Sequence, residues 1–146
     1  GKTVYNQIIV SNGVANLNLN LPVSSKPYNI TIISGENSVY ATSTTSFMFK
    51  NTVKIPTTVT ATEKLVNNKT ATVSVKINDN NNKPVTGNTK FVVKLNGKTQ
   101  ANAIAVNGVA DIDMIPPTIK GTYTLVVMTG ETSIYEKATT TTTLKI

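Results

Sequence analysis

The chemistry open to this 146-residue chain is bounded by what it lacks: there is no Cys, no His and no Trp, and all fourteen basic residues are Lys. Without thiols or imidazoles there is no zinc finger, no Cys–His or Ser–His nucleophile pair, and no imidazole general base. The acids are Glu36, Glu63, Asp79, Asp111, Asp113, Glu131 and Glu136. Glycoside cleavage would need two of them flanking one bond, and their spacing marks out no such pair. No Gly-rich phosphate loop is present. The Asn78–Asn82 cluster brings only one carboxylate, Asp79, where a hard cation wants several oxygens of negative character, so it reads as a turn. The expectation is a non-enzyme with no catalytic residue, no metal and no cofactor.

The formal charge of +7 invites a nucleic-acid reading, which the residue types oppose. Bidentate base recognition leans on Arg, which is absent, and single-strand platforms need aromatics, here 5% of residues. The lysines are dispersed without a run, as on a solvated surface with weak attraction for acidic polymers. Sugar-binding platforms usually use exposed aromatics, so a carbohydrate-binding module is disfavoured by the missing Trp. Two Asn-x-Thr sequons, Asn29-Ile30-Thr31 and Asn68-Lys69-Thr70, are candidate N-glycosylation sites. Asn68 lies in a loop-like stretch and is the better acceptor of the two. No apolar stretch is long enough for a membrane span, and the start at Gly1 carries no signal sequence, as expected of a segment excised from something longer.

The elements that must position these residues come from a repeat. Gly1-Lys2-Thr3 matches Gly97-Lys98-Thr99, and after a one-residue gap Asn12-Gly13-Val14-Ala15 matches Asn107-Gly108-Val109-Ala110. Pro22, Tyr28, Gly35-Glu36 and Tyr40 then match Pro117, Tyr123, Gly130-Glu131 and Tyr135 at one constant offset of about 95 residues. That is the size of an Ig-like sandwich. Residues 55–146 are expected to form one complete repeat and residues 1–54 the second half of another. Ile55-Pro56-Thr57-Thr58 reads as the connector, with the next strand beginning near Val59.

Within the complete unit, period-two alternation places Val73, Val75 and Ile77 on one face of a strand over 71–77. A strand over 91–95 closes at Asn96-Gly97, and 104–106 runs into a second Asn-Gly turn at Asn107-Gly108. In 109–114, Ile112 and Met114 face in while Asp111 and Asp113 face out. Strands follow at 121–127 and 139–146, with a short run at Ile134-Tyr135. In the front half, Leu17, Leu19 and Leu21 share a face, followed by Tyr28, Ile30, Ile32, Phe47 and Phe49, all expected in a core. About seven short strands per unit, with no helix, indicate an all-β fold: an Ig-like antiparallel β-sandwich in tandem repeats.

The order Pro84-Val85, Asn96-Gly97, Val106–Ala110, Gly121–Leu125, Gly130-Glu131 and Tyr135 resembles the bacterial Ig-like (Big-type) repeats of surface adhesins. It is most similar to repeats in the large adhesin-like proteins of methanogenic archaea. The resemblance implies a tandem array at the cell surface or cell wall, outside the cell, that serves as stalk or contact module. Its partners would be neighbouring repeats, acidic cell-surface polysaccharide, or a protein on a host or partner cell. Gly121–Leu125 also resembles collagen-binding B-type domains, in which a Glu just after this motif catalyses a Lys–Asn isopeptide bond. Here Val126-Val127-Met128 follows, the next acid is Glu131, and the last strand has no Asn. An unaccompanied half-repeat exposes an apolar face and open strand edges. It could belong to a longer array, pack on the second unit, or take strands from a neighbouring molecule. The last would make the protein the subunit of an extracellular filament assembled by donor-strand β-complementation.

Overall fold

The structure is a computed structural model that describes residues 7–146, so the Gly1-Lys2-Thr3 part of the repeat lies outside the described residues. Nine strands and no helix occur among these residues: β1 (Tyr28–Ser34), β2 (Ser43–Phe49), β3 (Thr57–Asn67), β4 (Thr70–Asp79), β5 (Asn88–Leu95), β6 (Lys98–Val106), β7 (Val109–Met114), β8 (Thr122–Thr129) and β9 (Thr139–Lys145). Strand pairs are joined by the turn chemistry the sequence supplies. Asn96-Gly97 and Asn107-Gly108 both take positive φ at both residues, the type I′ pattern that matches strand twist in two-residue hairpins.

Strands β3 to β9 form one antiparallel ladder in the order β3-β4-β7-β6-β5-β8-β9. Its only link between β7 and β6 is the hairpin pair Val106↔Val109, so the ladder folds there into two layers. One layer is β3-β4-β7 and the other β6-β5-β8-β9. The fourth strand, β6, pairs along its length with β5, whereas in a constant-type Ig domain it belongs to the opposite sheet. The outer strands β3 and β9 meet as parallel neighbours. Ile55 and Tyr135 form a parallel bridge, and the Thr142 hydroxyl donates to the Glu63 carboxylate at 3.3 Å.

Alternation fills the space between the layers. Val73, Val75 and Ile77 of β4 meet Phe91 and Val93 of β5, Leu125 and Val127 of β8, and Leu144 of β9, all buried. Each such side chain contributes roughly 1.5–3 kcal/mol of hydrophobic stabilisation. Met114 is buried, Ile112 half-buried, and Asp111 and Asp113 are exposed, as their alternation requires. The chain is thus an all-β, Ig-like antiparallel β-sandwich, with β1 and β2 as a separate two-stranded sheet.

Two sequence expectations change. The connector does not stay free: the Ile55 N–H donates to the Ile134 carbonyl at 2.8 Å, the Glu136 N–H donates back to Ile55 at 2.9 Å, and β3 starts at Thr57. Pro56 stands between the bridge and the strand, where no ladder donor is needed. The front-half apolar set is not a core. Leu17, Leu19 and Leu21 lie in irregular backbone, and Leu17, Leu19, Ile32, Phe47 and Phe49 are exposed. Alternation prepares a buried face, but among the described residues no second layer lies over this one.

Candidate interaction surface: an uncovered hairpin

The β1–β2 hairpin is built by the same local interactions as β8–β9. Tyr28 pairs with Phe49 as Tyr123 pairs with Leu144, and Ile30 pairs with Phe47 as Leu125 pairs with Thr142, so the registers coincide under the repeat. At the loop ends, Ser34 Oγ accepts from the Ser43 N–H (2.9 Å), and Thr129 Oγ1 accepts from the Ala138 N–H (2.7 Å). Asn37 Oδ1 accepts from the Val39 and Tyr40 N–H groups; Thr132 Oγ1 accepts from those of Ile134 and Tyr135. These are Asx- and ST-type turns, in which a short polar side chain satisfies backbone donors locally. Each hairpin also carries a tyrosine whose hydroxyl reaches back to a preceding carbonyl: Tyr28 to Pro22 at 2.7 Å and Tyr123 to Ile119 at 2.8 Å. That tie is the tyrosine corner of Ig-like sandwiches. The Asn12-Gly13 turn, closed by Ser11 and Val14, likewise repeats Asn107-Gly108.

Burial separates the two. Val127, Tyr135 and Leu144 are 0%, 9% and 1% exposed, while their counterparts Ile32, Tyr40 and Phe49 are 54%, 71% and 44% exposed. Leu17, Leu19, Leu21, Ile30, Phe47 and Phe49 line one open groove, with Asn51 at its rim. The Asn51 amide donates to the Leu21 carbonyl at 2.8 Å and holds the irregular 15–24 stretch beside the hairpin. Among the described residues no charged side chain lines this groove. β8 is paired on both sides, by β5 and β9, but among the described residues β1 is paired only by β2, so one of its edges presents backbone donors and acceptors to which none of them supplies a strand.

The other sites singled out in the sequence fall elsewhere. Asn29 is exposed on β1, on the face opposite Tyr28 and Ile30, and Asn68 is exposed in the β3–β4 turn; the two are not brought together. Asp79 Oδ1 accepts the Asn81 and Lys83 N–H groups at 2.8 and 3.0 Å, so this carboxylate caps a turn. Among the described residues no three of Asp, Glu, His or Cys are placed to hold a metal ion. No helix of the structure is long and apolar enough to cross a membrane. Glu131 forms an ion pair with Lys54 that ties the chain before β3 to the loop after β8. The Lys54 ammonium, first by hydrogen bonding and then by its charge, holds the Glu131 carboxyl below its ordinary range. Sequence reading missed this pair, the Glu63–Thr142 contact and both tyrosine ties. Only the ties left a trace, as a Tyr repeated at the start of matched strands.

No protein-family model matches the chain, and no curated protein sequence does. Among solved structures the chain is similar to the rat CD45 extracellular region, domains d3–d4, at 13% identity and a TM-score of 0.54. The superposition covers 99% of this chain and 78% of that one, so it takes in the uncovered hairpin as well as the closed sandwich. At this identity the likeness shows the fold alone, a β-sandwich arrangement shared with that extracellular region.

Proposed function

We propose that the chain is a non-catalytic structural and adhesive module, an Ig-like repeat of an adhesin-like protein at the cell surface or in the cell wall. It serves there as stalk or contact surface. The observation that carries this reading is one hairpin geometry occurring twice in the chain, with the same register and caps and a tyrosine tied to a preceding carbonyl in each. Repetition of a supersecondary unit is how extended arrays are made from small modules. The sandwich fold, the dispersed lysine surface and the absence of thiol, imidazole and clustered carboxylates support a load-bearing or contact role over chemistry. Neighbouring repeats would be its first partners, and acidic polysaccharide or a protein of an opposing cell surface the next.

Antibody raised against the chain should label intact cells of its source without permeabilisation, and mild protease shaving should remove the label. Labelling only after lysis would overturn an extracellular role. The uncovered β1–β2 face specifically favours a second reading, the subunit of an extracellular filament assembled by donor-strand complementation. Light scattering of the purified chain separates the two. Open-ended growth of molar mass with concentration supports the filament, and constant mass supports the stalk.

A further inference from the structure

The closed unit shows what covers a hairpin of this kind. Beside β8, the strand β5 pairs Phe91 with Thr129, Val93 with Val127 and Leu95 with Leu125. The Gly130 N–H donates to the Lys90 carbonyl at 2.7 Å, and a Cβ at Gly130 would sit 3.4 Å from that same oxygen. The Tyr135 hydroxyl accepts from the Thr86 N–H at 3.3 Å and shares a hydrogen bond with the Thr86 hydroxyl.

Each of these three contacts has a prepared counterpart on the front hairpin, and each counterpart is empty-handed. Among the described residues, the β1 edge at Ile30–Ser34 has no strand beside it. Gly35, the counterpart of Gly130, has nothing within 4 Å of where a Cβ would be. Tyr40, the counterpart of Tyr135, is exposed. Three separate features therefore specify one occupant, in one register.

We infer that the β1 edge is a strand acceptor for a first half of this same repeat, a segment like residues 55–96. Its β5-type strand would add antiparallel with its Phe opposite Ser34 and its Leu opposite Ile30. This inference rests on the repeat reading above and deepens it. Recognition is by ladder hydrogen bonds along β1 and by alternate apolar side chains over Ile30, Ile32 and the Leu17–Leu21 groove. A second complete copy can donate its β5 only by opening a closed sandwich, because that strand is central with Phe91, Val93 and Leu95 buried; the filament reading requires that exchange, and an unpaired first half does not. The occupant is a first half that has no second half of its own.

The test uses the whole chain and a fluorescent synthetic peptide of residues 88–96, followed by anisotropy. Saturable binding is expected, weakened at least tenfold by Ile32→Asp on the inward face and little changed by Ile33→Asp on the outward face. The same loss should follow Val93→Asp within the peptide. Both chain variants sit on an exposed hairpin, and circular dichroism checks that the sandwich is intact in each. Absence of saturable binding up to millimolar peptide overturns the inference. So does binding insensitive to Ile32→Asp, which would place the peptide on another edge. Equal binding of a peptide of residues 70–79 would show a sticky edge without the committed occupant. Dimerisation of the chain alone, abolished by Ile32→Asp, would assign the face to a second copy instead. None of these failures touches surface labelling, so a failed acceptor and a failed module reading give different results.

Discussion

The hairpins β1–β2 and β8–β9 are two outcomes of one local code. Their registers and loop caps coincide and each carries a tyrosine tied to a preceding carbonyl, yet the side chains that form the centre of the sandwich in one lie open to solvent in the other. Local structure, the comparison shows, is set within each segment of fewer than thirty or so residues by turn residues and alternation. Burial is not. It comes from β3 to β7, which supply a second layer and a strand beside β8. Stability should divide the same way, being concentrated in residues 55–146 and low in the hairpin.

The largest expected effect that would break this comparison comes from truncating matched residues. Leu125→Ala, at a fully buried site between β5 and β9, should cost about 2–5 kcal/mol of unfolding free energy. Ile30→Ala, its counterpart on the uncovered hairpin, should cost less than about 1 kcal/mol. Urea unfolding of each variant followed by circular dichroism measures both. Equal costs would mean that the front hairpin is covered in solution. A sharper version uses the turns. Gly13 and Gly108 both hold φ near +75 to +79°, so alanine strains either. A Cβ at Gly108 would also lie 2.5 Å from the Ile77 carbonyl oxygen, whereas at Gly13 it meets nothing within 4 Å. Gly108→Ala should therefore cost about 2–4 kcal/mol and Gly13→Ala about 1. The difference between them is the presence of the second layer, read at one atom.

What the sequence made legible follows the same line. The alternation of Val73, Val75 and Ile77, the Asn-Gly turns and the placement of Asp111 and Asp113 on the outer face are local signals, and the structure contains each. The reading of Leu17, Leu19 and Leu21 as a core strand failed because alternation describes a surface suited to burial and cannot supply the partner. Ile55-Pro56-Thr57-Thr58 reads locally as a connector, but the parallel contact of Ile55 with Tyr135 joins residues some eighty positions apart. The Lys54–Glu131 pair is just as distant and no spacing rule reaches it. The candidate acceptor edge was half legible: the repeat implied missing strands, while the empty positions at Gly35 and Tyr40 needed coordinates.

Smaller effects test the ties that both hairpins share. Tyr123→Phe removes the hydroxyl that donates to Ile119 and should cost about 1 kcal/mol. Tyr28→Phe removes the bond to Pro22; both bonds are exposed, but Tyr123 packs against the sandwich core and Tyr28 does not, so this change should alter global unfolding by less than about 0.5 kcal/mol. If the two costs matched, the tyrosine tie would be a property of the hairpin alone and not of the assembled sandwich.

The smallest expected effect concerns Glu131. Lys54 lowers its pKa in the folded chain, so in the native state the carboxyl binds its proton later on acidification than in the unfolded chain. The stabilisation is present above the unfolded glutamate pKa and is lost as pH falls through the lower folded value. Because the pair is on the surface, salt should weaken it and the effect on unfolding should be slight. The titration itself is the better readout. Carbon-detected NMR should find Glu131 titrating below an ordinary glutamate, and Lys54→Met should return it upward, with further added salt then having little influence. Should Glu131 titrate normally in the unmodified chain, the pair does not persist in solution. Of the two contacts described above between the residues before β3 and the sandwich, the Ile55 bridge would then be the one that remains.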